Sequence, residues 1–137
     1  MSLDLAIGTL SINLALTIPP LLLIVFGILA LKVIPRKPNW IMGYRTSKAC
    51  KNQDTWTFTH KYWGKWMVAL GIILTALTVV GMILIEQGTL TLDSGSFLGL
   101  SAIATVAGVS LTMIPVEIAL RKAFDKDGRP TPHIRTI

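Results

Sequence analysis

Arg45 is the residue in this sequence with the clearest capacity to bind a charged ligand. It belongs to the octet Asn-Trp-Ile-Met-Gly-Tyr-Arg-Thr at 39–46, where it stands between Tyr44 and Thr46. A guanidinium offers paired hydrogen bonds to a lipid phosphate or a carboxylate, and it also stacks on aromatic rings. Gly43, two positions earlier, indicates a backbone that needs a positive φ or a close approach. The octet therefore predicts an anion-binding site, and one more surface charge is the competing interpretation.

Two further side chains could act beside that arginine. Glu117 is the only acid inside the last apolar stretch, and Arg121 follows it by about one helical turn. We expect these two to form an ion pair at a helix end rather than a transport carboxylate, with Arg45 able to reach the same depth. His60 follows Trp56 by four residues, so the two share one helix face. We expect His60 to be packed or interfacial, not a metal ligand or a proton shuttle.

The elements that must position these residues are built for a bilayer. Of the 137 residues, 52% are hydrophobic and 15% are charged, and the mean hydropathy is +0.62, unlike a soluble domain. Three apolar stretches, at about 7–34, 66–85 and 97–120, reach the roughly 20 residues that a spanning helix requires. The first has no basic start or small-residue cleavage site, so we interpret it as a retained helix. The sequence predicts an all-α integral membrane protein, one three-helix domain over 1–137.

The basic residues predict how this domain is oriented. Of the thirteen lysines and arginines, eight lie in or beside the 35–65 loop and five lie in the 121–137 tail. The charged residues of the 86–96 connection are all acidic. Short connections that are rich in lysine and arginine usually remain on the cytoplasmic side of the membrane. We therefore expect the loop and the tail to be cytoplasmic, the N-terminus to be outside, and the protein to reside in the plasma membrane.

Small and polar residues recur at helical spacing in each apolar stretch. Because no hydrophobic force drives spans together in lipid, helices associate where such residues allow close packing. We expect the three helices to meet along these faces. The residues are Asn13, Thr17, Pro20, Ile24 and Gly27 in the first stretch; Gly71, Thr75, Thr78 and Gly81 in the second; and Ser101, Thr105, Gly108, Thr112 and Pro115 in the third.

The loop and the tail carry their own signals. Asn52 can cap a helix that starts well before the second apolar stretch, and Thr46 or Ser47 can cap a short turn ahead of it. After Lys126 the chain is rich in glycine and proline, which predicts a short disordered end.

All four tryptophans lie on the predicted inner side of the membrane. This clustering is typical of an aromatic belt at the headgroup level, with lysines close by for anionic lipid phosphates. Participation in a binding site is the alternative interpretation. The residues are Trp40, Trp56, Trp63 and Trp66.

One pattern spans the loop and the start of the second helix. It consists of Asn39-Trp40, then Gly43-Tyr44-Arg45-Thr46, then Trp56 and His60 ahead of Gly64. In this pattern the sequence resembles the SdpI/YfhL family of small bacterial membrane proteins, over about residues 20–120. The founding member protects a producing cell from its own secreted toxic peptide and signals by holding a transcriptional repressor at the membrane. It is longer, with additional spans, so we expect this chain to correspond to the shared core.

The resemblance implies a non-enzymatic immunity or signalling protein. The candidate binding site consists of Asn39, Trp40, Gly43, Tyr44, Arg45, Thr46, Trp56, His60 and Glu117. The expected partners are membrane lipids, a toxic peptide, a cytoplasmic repressor that contacts the basic face, and possible further copies of the chain. Nucleic acid is not expected as a direct partner. The alternative is an oligomeric transporter of a small solute or ion, with flux dependent on Glu117 or Asn13.

An enzyme is the least supported class. The sequence has two histidines and one cysteine, and they lack the spacing of metal ligands. It contains no phosphate-cradling glycine loop and no motif that places a nucleophile and a base. We therefore expect no catalytic residues, no metal and no cofactor.

Overall fold

The structure, a computed structural model, describes residues 3–33 and 43–132. These residues form three helices, α1 (Leu3–Lys32), α2 (Gln53–Glu86) and α3 (Ser94–Ala123). Each helix is long and apolar enough to cross a membrane. The prediction of an all-α protein with three membrane-spanning helices is confirmed.

Most of the outer helix surface is apolar and exposed. Ile73, Leu77, Ile103 and Val106 each expose more than half of their area. A soluble monomer does not leave apolar faces of this extent in water, whereas hydrocarbon covers them and the helical backbone needs no partner there. The chain is therefore a multi-pass membrane protein.

The start of α2 lies well ahead of its apolar part because Asn52 caps it. The Asn52 side-chain oxygen accepts the Thr55 N–H at 2.9 Å, and the Thr55 hydroxyl accepts the Asn52 N–H at 3.1 Å. This reciprocal capping box satisfies two amides that a helix start otherwise leaves without partners. The predicted cap at Asn52 is confirmed.

Glycines bring α1 and α2 into close contact. A Cβ on Gly64 would lie 2.8 Å from the Gly27 carbonyl oxygen, and a Cβ on Gly71 would lie 2.6 Å from Ile24 Cγ1. Neither distance leaves room for a larger residue, so the two backbones approach directly. The predicted packing faces are confirmed at Gly27, Ile24 and Gly71, and Gly64 extends them.

α3 packs on α2 through side chains more than through backbone. The ring of Phe97 covers Gly81, and Leu70 lies over Gly108 at 3.0 Å from the position of a Cβ. The largest contact in the bundle is between α1 and α2. α3 is thus the more loosely attached helix within the membrane, and its firmest contacts lie at its C-terminal end.

Contacts between the loop, α2 and the end of α3 form a hydrophobic cluster at one end of the bundle. Its buried members come from the loop and from the end of α3, and three partly buried rings of α2 pack against them. We call residues 43–65 and 117–132 the basic end of the bundle, and the 87–93 connection lies at the opposite end. The cluster comprises Tyr44, Ala49, Val116, Leu120, Ala123 and Phe124, with Phe58, Tyr62 and Trp63 against it.

The tail after α3 folds back onto the loop. The Asp125 carboxylate accepts two backbone N–H bonds of the following turn at 2.8 Å, and the Asn52 side-chain amide donates to the Gly128 carbonyl at 2.7 Å. The prediction of a disordered end is therefore wrong for residues 127–132, because side chains at both ends of the turn satisfy its backbone. Residues 133–137 lie outside the described part of the chain.

Candidate functional site

Gly43 brings the loop directly onto the imidazole of His60. Its φ is +99°, a conformation that side chains disfavour, and a Cβ at this position would overlap His60 Nε2. The next amide, the Tyr44 N–H, donates to the same nitrogen at 3.3 Å. The prediction of a positive φ or a close approach at Gly43 is confirmed in both respects.

His60 is buried, and both of its ring nitrogens have backbone partners. Nδ1 lies 2.9 Å from the Trp56 carbonyl oxygen, and Nε2 faces the Tyr44 N–H. A carbonyl only accepts and an amide only donates, so these partners assign the proton to Nδ1 of a neutral ring. His60 is therefore packed, as expected, and it joins α2 to the loop.

Trp56 is buried inside the protein and has no surface that could face lipid headgroups. Its side chain is 0% exposed and its ring centroid is 4.0 Å from that of His60, because the loop covers this face of α2. The interpretation as an aromatic belt is therefore wrong for Trp56. Trp66 is 42% exposed, in keeping with a belt position, whereas Trp40 lies outside the described residues.

Tyr44 connects the loop to both neighbouring helices. Its ring is buried 5.9 Å from the ring of Trp63 on α2, and its hydroxyl donates to the Met113 carbonyl of α3 at 3.3 Å. Burial and, to a smaller extent, the negative charge of Glu117 raise the pKa of Tyr44 to about 12. The phenol is therefore a neutral donor at physiological pH.

We expect this phenol to titrate late. In a Tyr62→Phe variant Tyr44 is the remaining tyrosine, so tyrosinate absorbance reports it alone, and the signal should develop near a pKa of about 12 instead of the ordinary ~10. Because the folded-state pKa is raised, stability is unaffected below about pH 10 and falls as the pH rises towards 12. Titration near pH 10 in protein that is still folded would contradict this environment for Tyr44.

Glu117 joins α3 to the loop through one carboxylate oxygen and pairs within α3 through the other. Oε2 accepts the Thr46 hydroxyl at 3.3 Å, and Oε1 lies 3.4 Å from Arg121 Nε. The predicted pair with Arg121 is confirmed, and these partners favour a structural role over a transport carboxylate. The Thr46 oxygen also accepts the Ala49 N–H at 3.3 Å, so Thr46 caps the predicted short turn at 47–50.

The structure brings most of the predicted site residues into one continuous set of contacts. Arg45 lies in the same loop with its side chain exposed, so it borders the set at the surface. Asn39 and Trp40 lie outside the described residues. The residues in contact are Gly43, Tyr44, Thr46, Trp56, His60 and Glu117.

Three cavities among the described residues adjoin this set of contacts. An apolar cavity of about 370 Å³ lies beside Gly43 and His60 and is lined by all three helices, including Met67 and Val109. Trp63 also lines it, and its indole Nε1 is buried with no hydrogen-bond partner among the described residues. The second cavity is polar.

The polar cavity is a groove of about 600 Å³ between the loop and the end of α3. Sequence reasoning missed this site, because the loop lysines meet Lys126 only through the returning tail. A run of basic residues in the loop was the one signal available. The lining residues are Thr46, Ser47, Lys48, Lys51, Glu117, Arg121 and Lys126.

The described residues thus define a small membrane protein with three helices and a cluster of hydrogen-bonded polar groups at the basic end. The model of the SdpI/YfhL protein family matches residues 36–116, more than half of the chain. The chain therefore belongs to the SdpI/YfhL family, as the resemblance predicts. The matched range contains the contacts between Gly43, Tyr44, Trp56 and His60. Searches of curated proteins and of solved structures found no match.

Proposed function

We propose that this protein is a non-enzymatic immunity or signalling protein of the plasma membrane that protects its cell against a secreted toxic peptide. The observation that carries the proposal is the family match over residues 36–116. That range includes the loop and the whole of α2 on which the loop is folded. In this proposal the basic end faces the cytoplasm. The support is the general rule that short connections rich in lysine and arginine remain on the cytoplasmic side of the membrane.

Arg45 is the residue that we assign to partner recognition. Its backbone is held on both sides, since the Tyr44 N–H bonds to His60 and the Thr46 hydroxyl bonds to Glu117. An exposed guanidinium on a fixed backbone loses less entropy on binding than one on a free loop. It suits a carboxylate or phosphate of a partner, including an acidic surface of a cytoplasmic repressor.

The apolar cavity beside Gly43 and His60 supports a second contact in the same proposal. Its volume of about 370 Å³ is within the range of small-ligand pockets. A membrane-active peptide carries apolar side chains of suitable size, and apolar side chains of all three helices line the cavity. The peptide would then meet the protein within the spans, close to the arginine-bearing loop.

A killing assay tests this proposal. Cells that express the chain should survive the toxic peptide better than cells without it. Arg45→Ala should lower the apparent affinity for the partner about 10-fold or more, because hydrogen bonds to a charged group contribute about 1.5–3 kcal/mol. Arg129→Ala is the matched control, since it also removes an exposed cation from the basic end and should leave protection intact.

Expression in the membrane fraction must be equal for all three proteins. The immunity role would fail if the intact chain gave no protection. The assignment of Arg45 would fail if Arg45→Ala protected cells as well as the intact chain. If Arg129→Ala lost protection to the same extent, the effect would be one of net charge and not specific to Arg45.

A further inference from the structure

The polar groove at the basic end has a strongly positive lining. Among the described residues, Lys48, Lys51, Arg121 and Lys126 face it together with one acid, Glu117. That acid is already engaged by Arg121 and the Thr46 hydroxyl. Three positive charges are therefore left in excess within one groove, which favours an anionic occupant.

The two loop lysines are held in place by the tail. Lys48 Nζ donates to the Phe124 carbonyl at 2.8 Å, and Lys51 Nζ donates to the Lys126 carbonyl. An ammonium has three donors, so each lysine retains two for a ligand while its position is already restricted. Such preorganisation reduces the entropy lost on binding.

An apolar groove continues from the charged one along α3. Its volume is about 420 Å³, and it shares Thr46, Glu117 and Arg121 with the charged groove. Beyond them it is lined by apolar side chains of the α3 span, among them Ile114 and Ile118. A soluble anion would occupy only the charged groove. A phospholipid would place its phosphate in the charged groove and an acyl chain in the apolar groove.

We propose that the two grooves together bind one anionic phospholipid, with its phosphate among Lys48, Lys51 and Lys126 and an acyl chain along Ile114 and Ile118. The last turns of a spanning helix are where headgroups lie, and basic pockets at that depth are typical of anionic-lipid sites. The inference goes beyond the proposed function and holds whether or not the protein confers immunity. The lipid would bridge the loop, the tail and α3.

Lipid titration of the purified full chain in detergent tests the headgroup contact. Phosphatidylglycerol should bind at least 10-fold more tightly than phosphatidylcholine of the same chain length. Lys48→Gln/Lys51→Gln should remove most of that preference, at about fivefold per lysine. The matched control is Lys61→Gln/Lys65→Gln, which removes two exposed cations of the basic end outside the groove and should change the ratio less than about twofold.

A second variant separates lipid binding from folding of the tail. Lys126→Gln leaves the tail hydrogen bonds in place, because only the backbone carbonyl of Lys126 takes part in them. It should weaken phosphatidylglycerol binding about fivefold without changing the melting temperature. The proposal would be overturned if the intact protein bound phosphatidylglycerol and phosphatidylcholine equally tightly. It would also be overturned if the Lys61→Gln/Lys65→Gln control lost as much of the preference for phosphatidylglycerol as Lys48→Gln/Lys51→Gln.

The acyl chain is tested by comparing the lipid with glycerol phosphate. Ile114→Ser should weaken phosphatidylglycerol binding severalfold, at about 0.8 kcal/mol per buried methylene, whereas Ile103→Ser, an exposed position elsewhere on α3, should not. If glycerol phosphate bound as tightly as the lipid, the groove would be a site for soluble phosphate compounds. If an acidic peptide competed and neither phosphate probe bound, the groove would be a protein-docking surface.

Discussion

Replacement of Gly43 by alanine is expected to destabilise the folded protein by about 1.5–3.5 kcal/mol. A left-handed backbone costs an ordinary residue about 1–2 kcal/mol, and the new methyl group would displace His60. That displacement removes the hydrogen bond from the Tyr44 N–H to Nε2, which contributes about 0.5–1.5 kcal/mol. Unfolding in mixed detergent, followed by circular dichroism and tryptophan fluorescence, measures the loss.

Gly88→Ala is the matched control for Gly43→Ala. Gly88 also has a positive φ, of +69°, but a Cβ there would meet nothing within 4 Å. Its replacement should cost only the backbone part, about 1–2 kcal/mol. Equal losses for the two variants would mean that contact with His60 contributes nothing. If the contact matters, Gly43→Ala should cost less when introduced into a His60→Ala protein.

Trp56→Ala is expected to cost about 3–5 kcal/mol, the usual range for truncating a fully buried large aromatic side chain. The indole is 0% exposed and its ring lies against the ring of His60. Removing it leaves a cavity beneath the loop that the rigid start of α2 cannot close. The same unfolding measurement applies, and the fluorescence of the remaining tryptophans reports the transition.

Trp66→Ala is the control for this variant, since it removes the same side chain from the same helix. Trp66 is 42% exposed, so much of its surface contacts the surrounding amphiphile, and its removal should cost about 0.5 kcal/mol. The two variants distinguish a packed core at the basic end from a belt of aromatic residues. Similar losses for Trp56→Ala and Trp66→Ala would restore the belt interpretation.

The two expected losses have the same structural origin. Gly43 allows the loop to approach α2, and Trp56 and His60 form the surface on which the loop rests. Tyr44 then extends the contact to α3 through Met113. The loop backbone that carries Arg45 rests on these contacts, so the recognition proposed for Arg45 would depend on stability at this end.

The sequence by itself determined the features that depend on neighbouring residues. About 20 consecutive apolar residues suffice for a span, and all three helices follow from that rule. The cap at Asn52 and the pair of Glu117 with Arg121 form within one helical turn. The backbone of Gly43 was predictable because glycine is the residue that tolerates a positive φ.

The tertiary structure decided what depends on segments far apart in the chain. Lys48 meets the Phe124 carbonyl, and Asn52 meets the Gly128 carbonyl, each across 76 residues. No local pattern encodes such contacts, because they arise only after α2 and α3 have brought the loop and the tail to the same end. For that reason the burial of Trp56, the order of the tail and the convergence of lysines into a groove could not be deduced from the order of the residues.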